Sequence, residues 1–135
     1  MLLAPKKVKH KKVGKGSFKV KKLNFPIINS GEFGLVSIES GYIHAKQLEA
    51  SRQTINRYLE RKGSIYITAF PDRGVTKKSA QVRIGKGVGK TKYWVFKVEP
   101  GKTIFEVSGV SFKSIKSAFE SGIEKLPLKI KIIKK

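Results

Sequence analysis

The chain has no cysteine. That excludes disulfides, cysteine-ligated zinc and thiol catalysis, and it is neutral about compartment. Histidine is nearly as scarce: His10 and His44 are the only two, and Asp72 is the only aspartate. Metal sites and acid–base pairs are therefore poorly supplied. Acids of both kinds number 9, against 30 Lys+Arg. No apolar run approaches the roughly 20 residues that a membrane span requires. The opening "MLLAPKK" is too short in apolar residues for a secretory signal, and it lacks the arginine-rich amphipathic character of a mitochondrial targeting peptide.

What is present is positive charge. A net charge of +21 on 135 residues makes a compact body repel itself. A polyanion relieves that repulsion, and nucleic acid is the usual one. Hydrophobic content of 39% is enough for one packed domain. Lysine supplies 25 of the 30 cations, although arginine is the better bidentate phosphate ligand. That choice, with frequent isoleucine, suggests codon bias in an A+T-rich genome such as an organelle's.

Two regions follow. Residues 1–22 form a basic arm with nine lysines, Lys6, Lys7, Lys9, Lys11 and Lys12 among them, and the first acid is Glu32. Pro5, Gly14 and Gly16 discourage a helix there. Such runs usually order on an anionic partner. Residues 23–135 read as a single globular domain. Within it "GEFGLVSIES" (31–40) reads as a strand, and the spacing of Leu48, Ser51, Ile55 and Leu59 predicts a helix over 45–62. His44 stands at its N-cap with Gln47 three residues on, and Gly63 is placed to be its C′ residue. Strands are expected at "SIYITAF" (64–70), "SAQVRIG" (79–85), "KYWVFKVEPG" (92–101), "KTIFEVSGV" (102–110) and "LKIKIIKK" (128–135). A second helix is expected over 112–125, capped by Ser111, with Ile115, Ala118, Phe119 and Ile123 inward. Helices and strands do not alternate regularly. The fold class is therefore α+β, two helices on a mixed or antiparallel β-structure.

The chemistry concentrates in "VRIGKGVGKTKYW", Val82–Trp94, with glycines at Gly85, Gly87 and Gly89. "GKT" is the tail of a phosphate-binding loop, but Ile84 stands where that motif's first glycine is required. A strand pattern follows instead of a helix, and no acid lies between Asp72 and Glu99 to hold magnesium. The dinucleotide fingerprint fails too, its third glycine one residue early. A loop that clasps nucleic-acid phosphates fits better. Glycine permits close backbone approach, Lys78, Lys86, Lys90 and Lys92 neutralise phosphates, and Arg83 can fork onto a phosphate or a guanine edge. Tyr93 and Trp94 could stack on bases or pack in the core. A DNA-architectural module shares the charge, but would more often show a docking helix or wedge residues.

These residues, with "MLLAPKKVKHKK", "GEFGL", "AKQLEASRQTI", "GSIYITAFPD", "GKTIFEVSGV" and "AFESGIEKLPLK" in this order, resemble large-subunit ribosomal protein family sixteen of bacteria and organelles. The resemblance covers nearly the whole chain. It implies a hammerhead-like β-element under two helices. It implies binding to large-subunit rRNA near the peptidyl transferase centre and the A-site tRNA corridor, support of subunit assembly, transient contact with A-site tRNA, and neighbouring ribosomal proteins as partners. It implies no enzyme activity, cofactor, membrane or small-molecule substrate. The ribosome would be mitochondrial, with a bacterium or plastid as the alternative. Arg83, Gly85, Lys86, Gly87 and Gly89 match the family's loop motif, whereas Ile84, Val88 and Tyr66 depart from its usual residues, and the arm lacks the family's arginine-rich character. Arg52, Arg57 and Arg61 on the first helix are further candidates for rRNA contact.

Overall fold

The computed structural model describes residues 4–10, 12–14, 16, 18, 25–82, 84–85 and 87–135. Lys11, Arg83 and Lys86 lie outside the described residues, and so does the expected boundary at 22/23.

Among the described residues, seven strands form two antiparallel sheets and two helices accompany them. In chain order they are β1 (Phe33–Ser37), β2 (Gly41–His44), α1 (Ala45–Tyr58), β3 (Ser64–Ile67), β4 (Arg73–Lys77), β5 (Lys90–Val98), β6 (Thr103–Ser108), α2 (Phe112–Ile123) and β7 (Ile130–Lys134). One sheet has the order β3-β6-β1-β7 and the other β2-β5-β4. The expected α+β class holds, and the β-structure is antiparallel throughout.

The period of two explains the larger sheet. Phe33 pairs with Val107 and Val107 with Ile65; Leu35 pairs with Phe105 and Phe105 with Ile67. These residues join Leu48, Ile55 and Leu59 of α1 and Ile115, Ala118 and Phe119 of α2 in one core. The intervening residues, Gly34, Glu106 and Tyr66, are in register on the opposite face. Residues 27–31 strap over that face. Glu106 is fully buried beneath the strap and accepts from the backbone N–H groups of Asn29 at 3.3 Å, Ser30 at 2.8 Å and Gly31 at 2.9 Å. The Thr103 hydroxyl donates to the Ile27 carbonyl at 2.9 Å. Gly31 fits because a Cβ there would stand 2.7 Å from the Glu106 Cβ.

The ends of α1 depart from expectation. His44 does close a capping box: its Nδ1 accepts from the Lys46 N–H at 3.0 Å, and the Gln47 carbonyl oxygen accepts from the His44 N–H at 2.9 Å. An imidazole nitrogen thus performs the task of a Ser or Thr oxygen. The helix stops at Tyr58 rather than 62, and Gly63 is not its C′ residue. The Arg61 N–H donates to the Asn56 carbonyl and the Glu60 N–H to the Arg57 carbonyl, both at 3.1 Å. This is a Schellman turn with no glycine in it. Glu60 and Arg61 hold φ of 51° and 61° instead.

The second sheet corrects a strand. Residues 79–82 and 84–85 are turn and loop, and the strand that pairs with β5 on this side is Arg73–Lys77, with Lys77 opposite Lys90. Ala80, Val82 and Ile84 alternate like a strand but have no surface to lie on, and Ile84 is fully exposed. The strand expected over 31–40 is only β1, Phe33–Ser37, and β2 follows outside that span at Gly41–His44. Helix α2 ends at Ile123 rather than 125, and its fourth inward residue is Gly122, while Ile123 is half-buried. Ser111 is its N-cap, though the hydroxyl meets Ser114 Oγ at 3.1 Å rather than a backbone N–H.

Candidate nucleic-acid interface

Strand β5 is buried at Val98 and exposed at Lys90, so the β4–β5 hairpin projects from the body. Its loop joins Lys77 to Lys90. Gly89 sits where the strands close: a Cβ there would stand 2.5 Å from the Lys77 carbonyl oxygen. Gly85 and Gly87 have another task. Their φ values of +106° and +73° lie in the left-handed region, with open space around them. At the base of the loop, Lys77, Lys78, Lys90 and Lys92 line one open depression of about 430 Å³ with Ser79, Ala80 and Thr91. Four ammonium groups around an open hollow suit phosphate oxygens. Beyond it, Ile84 and Val88 are exposed.

The arm comes to this hairpin. Lys12 Nζ donates to the Val88 carbonyl at 2.8 Å. Val13 lines a cleft with Tyr42, Arg73 and Tyr93, and the Tyr42 hydroxyl donates to the Gly16 carbonyl at 3.4 Å. The Phe18 ring lies 4.7 Å from that of Tyr42, with Lys97 Nζ 5.1 Å from its centre. Lys12, Val13, Gly16 and Phe18 of the arm therefore lie along the β2-β5-β4 sheet. Residues 1–22 and 73–98 hold 17 of the 30 cations and none of the 9 acids; the rest of the chain holds 13 cations with all 9. Among the described residues, the fold brings Lys12 of the arm to the hairpin that carries Lys77, Lys78, Lys90 and Lys92. Lys6, Lys7, Lys9, Lys12, Lys78, Lys90 and Lys92 are all exposed.

Tyr93 and Trp94 serve the fold. Tyr93 stacks on His44, centroids 4.7 Å apart and planes at 28°, and Trp94 lies over Gly74, where a Cβ would stand 3.4 Å from its ring. The three helix arginines divide. Arg52 is locked to Glu49 by two hydrogen bonds, Nη2 at 2.6 Å and Nε at 3.0 Å. The hydrogen bond from Arg52 holds the Glu49 carboxyl below its ordinary range and raises the guanidinium in turn. Arg57 and Arg61 are exposed at the far end of α1, about 20 Å along its axis from His44. They are not part of the arm-and-hairpin surface.

Arg73, Lys97, Tyr42 and Phe18 belong to the surface and were not singled out from sequence. Phe18, a lone aromatic in a run of lysines, was the available signal for an anchor. Among the described residues, no group of three His, Cys, Asp or Glu side chains could hold a metal ion, and no helix is long and apolar enough to cross a membrane.

Comparison with known families gives one match of high coverage. The family model described as ribosomal protein L16p/L10e matches residues 5–133.

Proposed function

The chain belongs to the ribosomal protein L16p/L10e family, and from that premise we propose that it binds large-subunit rRNA near the peptidyl transferase centre, beside the corridor of A-site tRNA. Membership makes it a large-subunit ribosomal protein. The finer reading rests on one observation: an acid-free arm and an acid-free hairpin joined at Lys12 and Val88. Phosphates are met by Lys6, Lys7, Lys9, Lys11 and Lys12 from the arm and by Lys78, Arg83, Lys86, Lys90 and Lys92 from the hairpin. Counterion release supplies most of the affinity. The glycines let the hairpin backbone pass close to RNA.

In this reading residues 1–22 are an RNA-ordered extension and 23–135 the body that carries it. The protein acts structurally, without catalysis or cofactor. It stabilises late subunit assembly, touches A-site tRNA transiently, and packs beside other ribosomal proteins. Its lysine-for-arginine composition favours a mitochondrial ribosome over a bacterial or plastid one.

The test is sedimentation and subunit function. The full chain co-migrates with large subunits through a moderate salt wash, and Arg83→Ala or Lys86→Ala weakens rRNA binding or subunit activity while leaving the domain folded. Fully active subunits assembled with either variant would refute the hairpin's role. Mass spectrometry of ribosomes from isolated organelles and from cytosol decides the compartment.

A further inference from the structure

We propose that the C-terminal end of α1 carries a second RNA site, separate from the arm and hairpin, that takes one unpaired purine nucleotide. The proposal rests on the rRNA reading above and deepens it by naming what is read away from the charged face. Gln53, Asn56 and Arg57 follow at helix spacings of three and four on α1, and with Glu60 and Arg61 of the turn after it they line one open depression of about 360 Å³. That lies at the small end of the volumes of ligand clefts.

The side chains are those that recognise a nucleotide. Asn and Gln amides pair bidentately with adenine, and guanidinium groups with a guanine edge or a phosphate. Among the described residues the Asn56 amide has no hydrogen-bond partner. Gln53 donates its NH₂ to Glu49 at 3.1 Å, which leaves its carbonyl oxygen to accept. The carboxylate on the rim, Glu60, is paired with Lys62 at 2.7 Å, so the two arginines set the sign of the depression. Arg52 faces Glu49 and takes no part.

The backbone supplies a second, independent observation. Glycine suits the turn after α1, yet Glu60 and Arg61 hold left-handed φ there and line the depression. Strain retained where a smaller residue would relieve it points to a use for the side chain. The ligand is unpaired RNA, because the base edges that these side chains pair with lie in the deep, narrow major groove of an A-form helix, whereas loops and bulges splay them out.

The experiment compares the full wild-type chain with Gln53→Ala/Asn56→Ala, using in vitro transcribed large-subunit rRNA and, as a polyanion without bases, heparin. The double variant is expected to lose about ten- to hundredfold in affinity for rRNA, with heparin binding and thermal midpoint unchanged. Equal rRNA affinity overturns the proposal, and so does a parallel loss on heparin. Arg61→Gly provides a check independent of the double variant's folding. It relaxes the turn, so its thermal midpoint rises while rRNA binding weakens; a raised midpoint with unchanged binding overturns the proposal. Wild-type chain that binds rRNA no more tightly than heparin would instead refute the rRNA reading itself.

Discussion

The Ser51 hydroxyl of α1 donates to the Gly122 carbonyl of α2 at 2.9 Å, and both residues are buried. The helices approach this closely because Gly122 has no side chain. A Cβ there would stand 2.6 Å from Ile55 Cγ1, itself fully buried, and 3.3 Å from Ser51 Oγ. Gly122→Ala gains about 1 kcal/mol of helix propensity and loses about 1–3 kcal/mol to overpacking. The expected net loss is on the order of 1 kcal/mol, read as a lower midpoint in guanidinium unfolding.

Glu106 ties the strap to the sheet. Its carboxylate serves three backbone N–H groups from residues 29–31. Glu106→Ala leaves those donors without an acceptor under a buried roof, at a cost of about 3 kcal/mol or more. Hydrogen exchange at Ser30 and Gly31 should accelerate well beyond that in α1. Uniform acceleration across the whole chain would show that the strap does not open as a local unit.

The turn after α1 is strained by its side chains, not by its charge. Glu60→Gly should therefore raise the thermal midpoint by about 2–4 °C. Glu60→Ala removes the same carboxylate and keeps a Cβ in the left-handed region, so it should give no such rise. Equal midpoints for the two variants would place the effect in the Lys62 ion pair instead.

How far the sequence predicts this fold depends on whether a segment's pattern is local. Helix α1 is legible because Leu48, Ile55 and Leu59 recur at its period and all reach the core. The strand wrongly expected at 79–85 shows the limit. Ala80, Val82 and Ile84 alternate as a strand does, but a strand also needs a partner, and β5 pairs with Arg73–Lys77 instead. Strand β2, Gly41–His44, buries only Ile43 and so shows no alternation of apolar and polar residues. The cationic segments of the interface were legible from composition alone. Their meeting at Lys12 and Val88 was not, because it joins positions 76 apart in the chain. Glu106 escaped for the same reason: its partners lie 75 to 77 residues upstream.

The Glu49–Arg52 pair gives a pH signature. Because the folded-state pKa of Glu49 is depressed, chiefly by the hydrogen bond from Arg52, its stabilisation is present above the ordinary carboxyl value of 4.5 and is lost as pH falls through the lowered one. A partly exposed i,i+3 pair contributes little, about 0.3–0.5 kcal/mol. Glu49→Gln should thus cost about that much at pH 7, and the difference should vanish in acid. A gap between variant and wild type that widens below pH 4 would contradict the assignment.

The charged hairpin is tested most directly by salt. If Lys78, Lys90 and Lys92 each neutralise one phosphate, replacing all three by alanine removes three released counterions. For RNA the slope of log affinity against log salt then becomes shallower by about 2–3. The three side chains are exposed, so the thermal midpoint should not fall. A rise is the expected direction of any change, because the base of the loop concentrates like charges around Lys77. The glycine at the hairpin's neck separates charge from shape. Gly89→Ala keeps every cation but drives a Cβ toward the Lys77 carbonyl, so the strands must part at Lys77 and Lys90. That variant should bind more weakly with its salt slope less changed than its affinity. If instead the triple alanine variant kept the wild-type slope, the hairpin would not be where phosphate is met, and the arm alone would have to supply the contact.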